Sequence, residues 1–315
     1  MLPIDRSLLL VVRHESIDDF REIARRVRKI DPSIDVLIFP EDVNPNQIPS
    51  HFLKQPLLAI YLVNPPPDDF VPQSAQLAVK HLNKIEEYEH FLKNDIPCLP
   101  IEEFKWGMTL DESKYGEWVV LKPQHLQSTG QDINMVPTKM ISGLKLDDFP
   151  ENHLIRTDSY YVQKFIKTGE KPTHYRATVF LDTVLYSRLN THHLEYPELT
   201  SNITTLLSRT VASNDHHHRE AILTIDDEFN NFALTVTKTF PNQPLFGVDM
   251  IRDPITNKIY VLETNMGGNV WHFSSVISRE AGFISSDVKK PMVLQYNAWD
   301  RAAEVLVKKT HELAK

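Results

Sequence analysis

The sequence predicts a mixed α/β (α+β) fold, and three observations predict it. The first 63 residues alternate continuous apolar runs with one amphipathic helical pattern, as small parallel α/β lobes do. From residue 116 the texture changes to strands separated mostly by turns. The chain has 315 residues, enough for a sizeable core and for two or three lobes.

The elements follow in order. SLLLVVRH (7–14) reads as a buried strand. ESIDDFREIARRVRKIDP then places Ile17, Phe20, Ile23, Ala24, Val27 and Ile30 at helical spacing. Ser16 and Asp19 form a candidate capping pair, and Asp31-Pro32 stops the helix. DVLIFP (35–40) and PLLAIYLV (56–63) are two further apolar strands, and VNPPPDDFVP (63–72) is a Pro-rich connector. A long helix is expected next, with Ala75, Ala78, Leu82, Ile85, Tyr88, Phe91 and Leu92 on its apolar stripe and Pro97 breaking it. GEWVVLKP (116–123), SYYVQKFI (159–166), HYRATVFL (174–181), TVLYSRLN (183–190), FGVDMIRD (246–253) and KIYVLETN (258–265) read as strands. One helix is expected over 226–240 and another closes the chain. Residues 191–220 are polar and irregular, and their triplet His216, His217 and His218 reads as a solvated loop, because consecutive side chains diverge.

Composition narrows the function. Hydrophobic residues make up 41% and charged residues 24%, as in an ordinary globular protein. Lys and Arg total 34 against 42 Asp and Glu, and no long basic block occurs, so no nucleic-acid partner is expected. The longest apolar runs are far too short to span a bilayer, and the N-terminus lacks a signal-peptide pattern, so no membrane partner and a cytoplasmic location are expected. The single cysteine, Cys98, suits a reducing compartment.

FGVDMIRDPITNKIYVLETN looks like two antiparallel strands. With the turn centred on Thr256 and the loop spanning Pro254–Lys258, Asp253 pairs with Ile259, Ile251 with Val261, and Asp249 lies opposite Glu263. Like charges facing each other across a ladder are unfavourable, and apolar neighbours imply partial burial. Two such carboxylates need a cation or a raised pKa. Asn265 shares the face of Glu263 and adds an amide oxygen. Oxygen donors without His or Cys suit Mg²⁺ rather than zinc. On residue chemistry alone, a cation site and a plain hairpin both stand. Arg176 and Arg188 bracket the turn Leu181-Asp182-Thr183. A three-residue loop would set them opposite each other, ready to clamp an anion, and a two-residue loop would put them on opposite faces.

These motifs, in this order, resemble the ATP-grasp superfamily, especially its branch of D-alanine–D-alanine ligases, glutathione synthetases and ribosomal-protein glutamate ligases. The resemblance covers about residues 80–315. NKIEEYEHFLKNDIPCLP looks like the entry segment, WVVLKP the lysine-bearing strand, and YYVQKFIKTGE the adenine hinge with a ribose-binding acid. HYRATVFLDTVLYSRLN resembles the strand pair carrying catalytic arginines, and FGVDMI…YVLETN the magnesium ligands.

The resemblance implies an ATP-grasp fold with a pre-ATP α/β lobe and connecting helix (1–100), a central lid (101–166) and a C-terminal metal-binding lobe (167–315). It implies Asp249, Glu263 and Asn265 as ligands of two Mg²⁺ ions, with Glu263 bridging and Mn²⁺ as an alternative metal. Lys84, Lys122, Ser128, Thr129, Gly130, Gln163, Lys164, Phe165, Ile166 and Glu170 would bind ATP, Glu170 through the ribose. Arg176 and Arg188 would be catalytic. The phosphate loop departs from the family, since QHLQSTGQD (124–132) holds a single glycine, Gly130. Asn269, His272 and Ser275 lie where relatives bind the acceptor. The implied activity is an ADP-forming ligase joining a small-molecule acid to an amine, such as an amino acid or peptide, through an acyl phosphate. A small-molecule kinase on the same fold and a non-catalytic nucleotide-binding protein are the rivals, and a homodimer is compatible with the sequence.

Overall fold

The computed structural model describes residues 4–42, 47–63, 74–124, 130–212, 219–280 and 286–315. The first sheet contains β1 (Arg6–Val12), β2 (Ile34–Pro40), β3 (Leu57–Tyr61) and β4 (Ala75–Ala78), all parallel in the order β2-β1-β3-β4. Helix α1 (Ile17–Ile30) connects β1 to β2 and buries Phe20, Ile23, Ala24 and Val27. The expected Ser16–Asp19 cap is not made, because both side chains reach across the molecule instead. Asp19 accepts from Trp271 Nε1 at 3.0 Å and from Lys289 Nζ, and the Ser16 hydroxyl meets that of Ser274 at 3.2 Å.

The helix expected from residue 75 begins later. Ala75–Ala78 extends the parallel sheet by pairing with Leu58–Tyr61, and Leu77 is buried. Alanine is compatible with either periodicity, so sheet pairing decides. Helix α2 spans Lys84–Lys93, and its start is set by Asn83. The Asn83 side chain accepts from the N–H groups of Ile85 and Glu86, while Glu86 reaches back to the Asn83 N–H. This reciprocal cap places Lys84 at the first helical position. We expect Asn83→Ala to cost about 1 kcal/mol. Asn83→Asp should keep most of that stability, as chemical denaturation of the two variants would measure.

The second sheet is antiparallel. It holds β5 (Ile101–Glu103), β6 (Trp118–Pro123), β7 (Asn134–Pro137) and β8 (Tyr160–Lys164) in the order β5-β8-β6-β7, with the short helix α3 (Glu112–Tyr115) leading into β6. The third sheet contains β9 (Thr173–Phe180), β10 (Thr183–His192), β11 (Arg219–Leu223), β12 (Leu245–Arg252) and β13 (Ile259–Met266), ordered β11-β10-β9-β12-β13. Residues 191–220 are not uniformly irregular. They contain α4 (Ile203–Leu207), and Asn134 Nδ2 donates to the carbonyls of Leu207 and Arg209, tying this stretch to β7. The His216–His218 triplet lies outside the described residues.

One face of the third sheet packs on α5 (Asp227–Lys238). Tyr175, Ala177, Val179, Val248 and Met250 meet Phe229, Ala233 and Val236 there, with Tyr175 stacked on Phe229 at 4.5 Å. Strand alternation therefore turns His174, Arg176 and Thr178 to the opposite face. Beyond β13 come α6 (Val276–Glu280), α7 (Ser286–Gln295) and α8 (Ala298–Leu313). Each sheet draws its strands from one of the three expected intervals, but α8 joins two lobes. Its Trp299, Ala302 and Leu306 share one core with Leu8 and Phe20 of the first lobe and Phe180 and Tyr186 of the third.

Candidate active site

A cleft opens between the second and third sheets, with about 840 Å³ of space that includes its solvent-open mouth. Apolar walls come from Val120, Ile133, Phe165, Ile251 and Leu262, and its charged end from Lys122, Asp249 and Glu263. Tyr196, Val211 and Ala212 complete the wall. These three belong to the stretch read as irregular loop. The apolar Leu206, Leu207, Val211 and Ala212, all buried, were the signal in the sequence that part of it packs. Val211 N–H donates to the Ile133 carbonyl at 2.7 Å, and Phe165 packs edge-on against Tyr196 at 5.3 Å.

Two hairpins set the charged end, and both do so through a bulge. In β12–β13, Arg252 pairs with Ile259 and Met250 with Val261, one residue away from the expected register. An irregularity between Asp249 and Met250 leaves Leu262 as the extra residue and brings Asp249 opposite Glu263 after all. In β9–β10 the turn is the two-residue Leu181-Asp182, with Leu181 at φ 55°, which alone would put the arginines on opposite faces. A bulge at Leu185 restores the phase, and Arg176 lies opposite Arg188. Bulges bend a strand and re-aim its side chains. The result is one row across four strands, Arg188–Arg176–Asp249–Glu263.

Arg176 grips both carboxylate oxygens of Asp249. Lys84 Nζ lies 3.1 Å from Glu263 and 3.3 Å from Glu87. Burial alone would raise the pKa of Glu263, but Lys84, Lys122 and Arg176 outweigh it and hold this carboxyl ionised, well below the ordinary range. Burial lowers the Lys122 pKa, aided by Lys84 and opposed by Glu263, and Lys122 makes no ion pair among the described residues. Burial likewise lowers the pKa of Arg188, while Arg219 is pushed down to about 9 by burial and by Arg188 and Arg176. His174, 3.6 Å from Asp249, is pushed down to about 4 by burial and is neutral at pH 7. Lys84, Lys122, Arg176, Arg188 and Arg219 thus surround the three carboxylates of Glu87, Asp249 and Glu263. That excess of positive charge favours an anionic ligand.

Asn265 Nδ2 donates to Asp249 at 3.1 Å and to Glu263 at 3.3 Å, so the three expected metal ligands converge. Turned over, the same amide would present its oxygen beside the carboxylates. Among the described residues no group of three His, Cys, Asp or Glu could hold a metal ion. Two carboxylates and an amide oxygen, with positions left for phosphate and water, fit Mg²⁺.

The other expected residues divide. Lys84, Lys122, Gln163, Lys164, Phe165 and Ile166 are all brought to the site. Phe165 N–H donates to the Trp118 carbonyl at 3.1 Å. Gly130 is buried at φ 69°, its carbonyl accepting from the Thr210 hydroxyl at 2.6 Å, and is not among the described lining of the cleft. Ser128 and Thr129 lie outside the described residues. Glu170 is exposed on the loop after β8 and is absent from the lining, where Thr168 and Thr173 stand instead. We therefore expect Glu170→Ala to change the ATP KM by less than about threefold, a shift of under 1 kcal/mol; a tenfold rise in steady-state assays would restore Glu170 to the ribose. Asn269 is exposed, while His272 and Ser275 are buried; Tyr186 bonds His272 Nδ1, and Ser275 bonds Ser278 at 3.1 Å. Of these three, Asn269 lines a cavity beside the turn after β13.

Glu87 was not anticipated. It is buried, accepts from the Thr264 N–H at 2.6 Å, and orients both Lys84 and the strand bearing Glu263. Its three-residue spacing from Lys84 was the legible clue.

No protein-family model and no curated protein sequence matches the chain. Solved structures do. A crystal structure of D-cycloserine synthetase DcsG aligns with 96% of this chain and 99% of its own at 12% identity and a TM-score of 0.51. The ATP-grasp ligase PsnB, complexed with minimal precursor, aligns with 97% of this chain and 100% of its own at 11% identity and a TM-score of 0.52. PsnB with minimal precursor, Mg and ADP aligns with 98% and 99% at 12% identity, also at 0.52. The chain therefore has the ATP-grasp fold.

Proposed function

We propose that the protein is an ATP-dependent carboxylate–amine ligase that forms an amide or peptide bond and releases ADP and phosphate. The row Arg188–Arg176–Asp249–Glu263, flanked by Lys84 and Lys122 at the charged end of an apolar cleft, carries this reading. An apolar slot that narrows to cations and carboxylates suits a nucleotide, with its base between Val120, Phe165 and Ile251 and its phosphates at the far end. Ile166 N–H has no protein partner among the described residues and is available to the base edge.

Asp249, Glu263 and Asn265 would hold Mg²⁺. The metal would neutralise charge on the phosphates during transfer. Lys122 and Lys84 would hold the phosphate oxygens. Arg176 and Arg188 would grip the transferring group and then the tetrahedral oxyanion.

The chemistry follows from the weakness of a carboxylate as an electrophile. A carboxylate oxygen attacks the γ-phosphorus, the bond to the bridging oxygen breaks, and ADP leaves. The amine then attacks the acyl carbon of the resulting acyl phosphate. The carbon–oxygen bond breaks, phosphate departs, and the amine loses a proton to give the amide.

This scheme is tested by oxygen tracing. An acid substrate labelled with heavy oxygen in its carboxylate should pass one labelled atom to inorganic phosphate, read by mass spectrometry. A stable phosphorylated product, with no amide under any amine tried, would sink the ligase reading in favour of a kinase.

A further inference from the structure

His153 is not among the described lining of the nucleotide-sized cleft, yet a chain of hydrogen bonds ties it to the cleft wall. The residue is 3% exposed and precedes the turn Leu154–Arg156. Its Nδ1 accepts the Ile155 N–H at 3.1 Å, so the ring proton sits on Nε2. Nε2 therefore donates to Asn134 Oδ1 at 2.8 Å. Asn134 is buried too, and its Nδ2 donates to the carbonyls of Leu207 and Arg209, at 3.1 and 3.0 Å. These partners fix both the imidazole tautomer and the orientation of the amide. Just beyond Arg209, Val211 and Ala212 line the cleft, and the Val211 N–H reaches the Ile133 carbonyl at 2.7 Å.

This chain accepts only a neutral imidazole. A proton added to Nδ1 would face the Ile155 N–H, donor against donor, away from water. The rings of Phe149 and Tyr160 lie 4.8 and 5.8 Å from the imidazole, and the charged groups facing it among the described residues are Asp132 and Arg156. Burial lowers the His153 pKa, Asp132 opposes that shift and Arg156 adds to it. A released imidazole titrates near about 6.5. The closed arrangement is therefore fully favoured above that pH. Below it, the ratio of closed to released forms drops by up to about tenfold per pH unit, until the closed form itself takes up the proton.

We propose that His153 is a positioning residue whose neutral ring holds the cleft wall through Asn134, and that acidification releases the wall and weakens nucleotide binding. The inference rests on a nucleotide occupying the cleft, as the ligase reading requires, and adds a pH-dependent control of that site.

The test follows MgATP binding by calorimetric titration between pH 7.5 and 5.0, on the whole chain as wild type and as His153→Gln. Glutamine keeps an N–H donor for Asn134 and has no proton to gain. Wild-type affinity should fall about tenfold more than that of the variant, because only the closed fraction binds well. Comparing the two profiles removes the titration of the nucleotide itself. A second arm needs no variant and reads amide hydrogen exchange in the nucleotide-free wild type. Corrected for intrinsic rate, protection of the Val211 amide should drop about tenfold from pH 7.5 to 5.5. Val162, in a strand paired on both sides within the second sheet, should keep its protection. Parallel affinity profiles for wild type and His153→Gln would overturn the inference. So would Val211 protection that ignores pH, or that is lost together with that of Val162. Failure of MgATP to bind at pH 7.5, where the wall is held, would overturn the ligase reading instead, and the exchange arm would still decide whether His153 holds the wall.

Discussion

Glu263→Gln should lower Mg²⁺-dependent ATP turnover about a thousandfold, comparable with removing a key charge-stabilising group, and leave the protein folded. Glu263 is held ionised by Lys84, Lys122 and Arg176 despite its burial, so its charge is available to a metal across the neutral pH range. When it becomes an amide, Lys84 still has Glu87 at 3.3 Å, while Lys122 loses the charge that most offsets its burial. Asp249→Asn should lose a similar share of turnover but should also destabilise the fold, because the largely buried Arg176 loses the carboxylate that it grips with two hydrogen bonds. Breaking a buried pair from one side costs roughly 3–5 kcal/mol. Thermal denaturation and steady-state ADP release on both variants separate the effects. Full Mg²⁺-dependent activity in either would remove that residue from the metal site.

Much of this arrangement was legible before any coordinates. The Asp249–Glu263 pairing and the lysine at the end of β6 were expected from the sequence, while the facing arginines were one of two alternatives that the loop length left open. The route to these pairings was not expected. Neither hairpin keeps one register throughout, and the bulges at Leu262 and Leu185 each restore a phase that the turn had lost. A period-2 pattern cannot show an unpaired extra residue, because leucine fits either face of a buried sheet. Ala75–Ala78 was ambiguous for a related reason: its short alanine-flanked stretch becomes a strand only through pairing with β3. The cleft wall formed by Tyr196, Val211 and Ala212 was hidden by polar neighbours, and depends on a contact with Ile133 more than 75 residues earlier in the chain.

The two arginines should respond unequally to the same substitution. Arg176 is tied to Asp249, and that attraction, acting against burial, raises its pKa. Arg188 faces Arg176 in the ladder, and burial together with that like charge lowers its pKa. The folded protein therefore favours the charge on Arg176 and disfavours that on Arg188. Arg176→Met should cost roughly 3–5 kcal/mol, because Asp249 is left buried without its partner. Arg188→Met keeps the length of the side chain and removes a repulsion, so its loss of stability should be much smaller. Both should reduce amide formation by a factor on the order of 10²–10³ if they stabilise the transferring phosphoryl group and the later oxyanion. A double variant of Arg176→Met with Asp249→Asn should be less destabilised than the sum of the single changes, since the pair is lost only once. Denaturant unfolding of the four variants, alongside kcat for each, measures all of this. Equal destabilisation by Arg176→Met and Arg188→Met would show that Arg188 is a structural ion-pair partner. Unchanged kcat in Arg188→Met would take it out of the reaction, leaving Lys84, Lys122 and Arg176 as the groups that meet the phosphates.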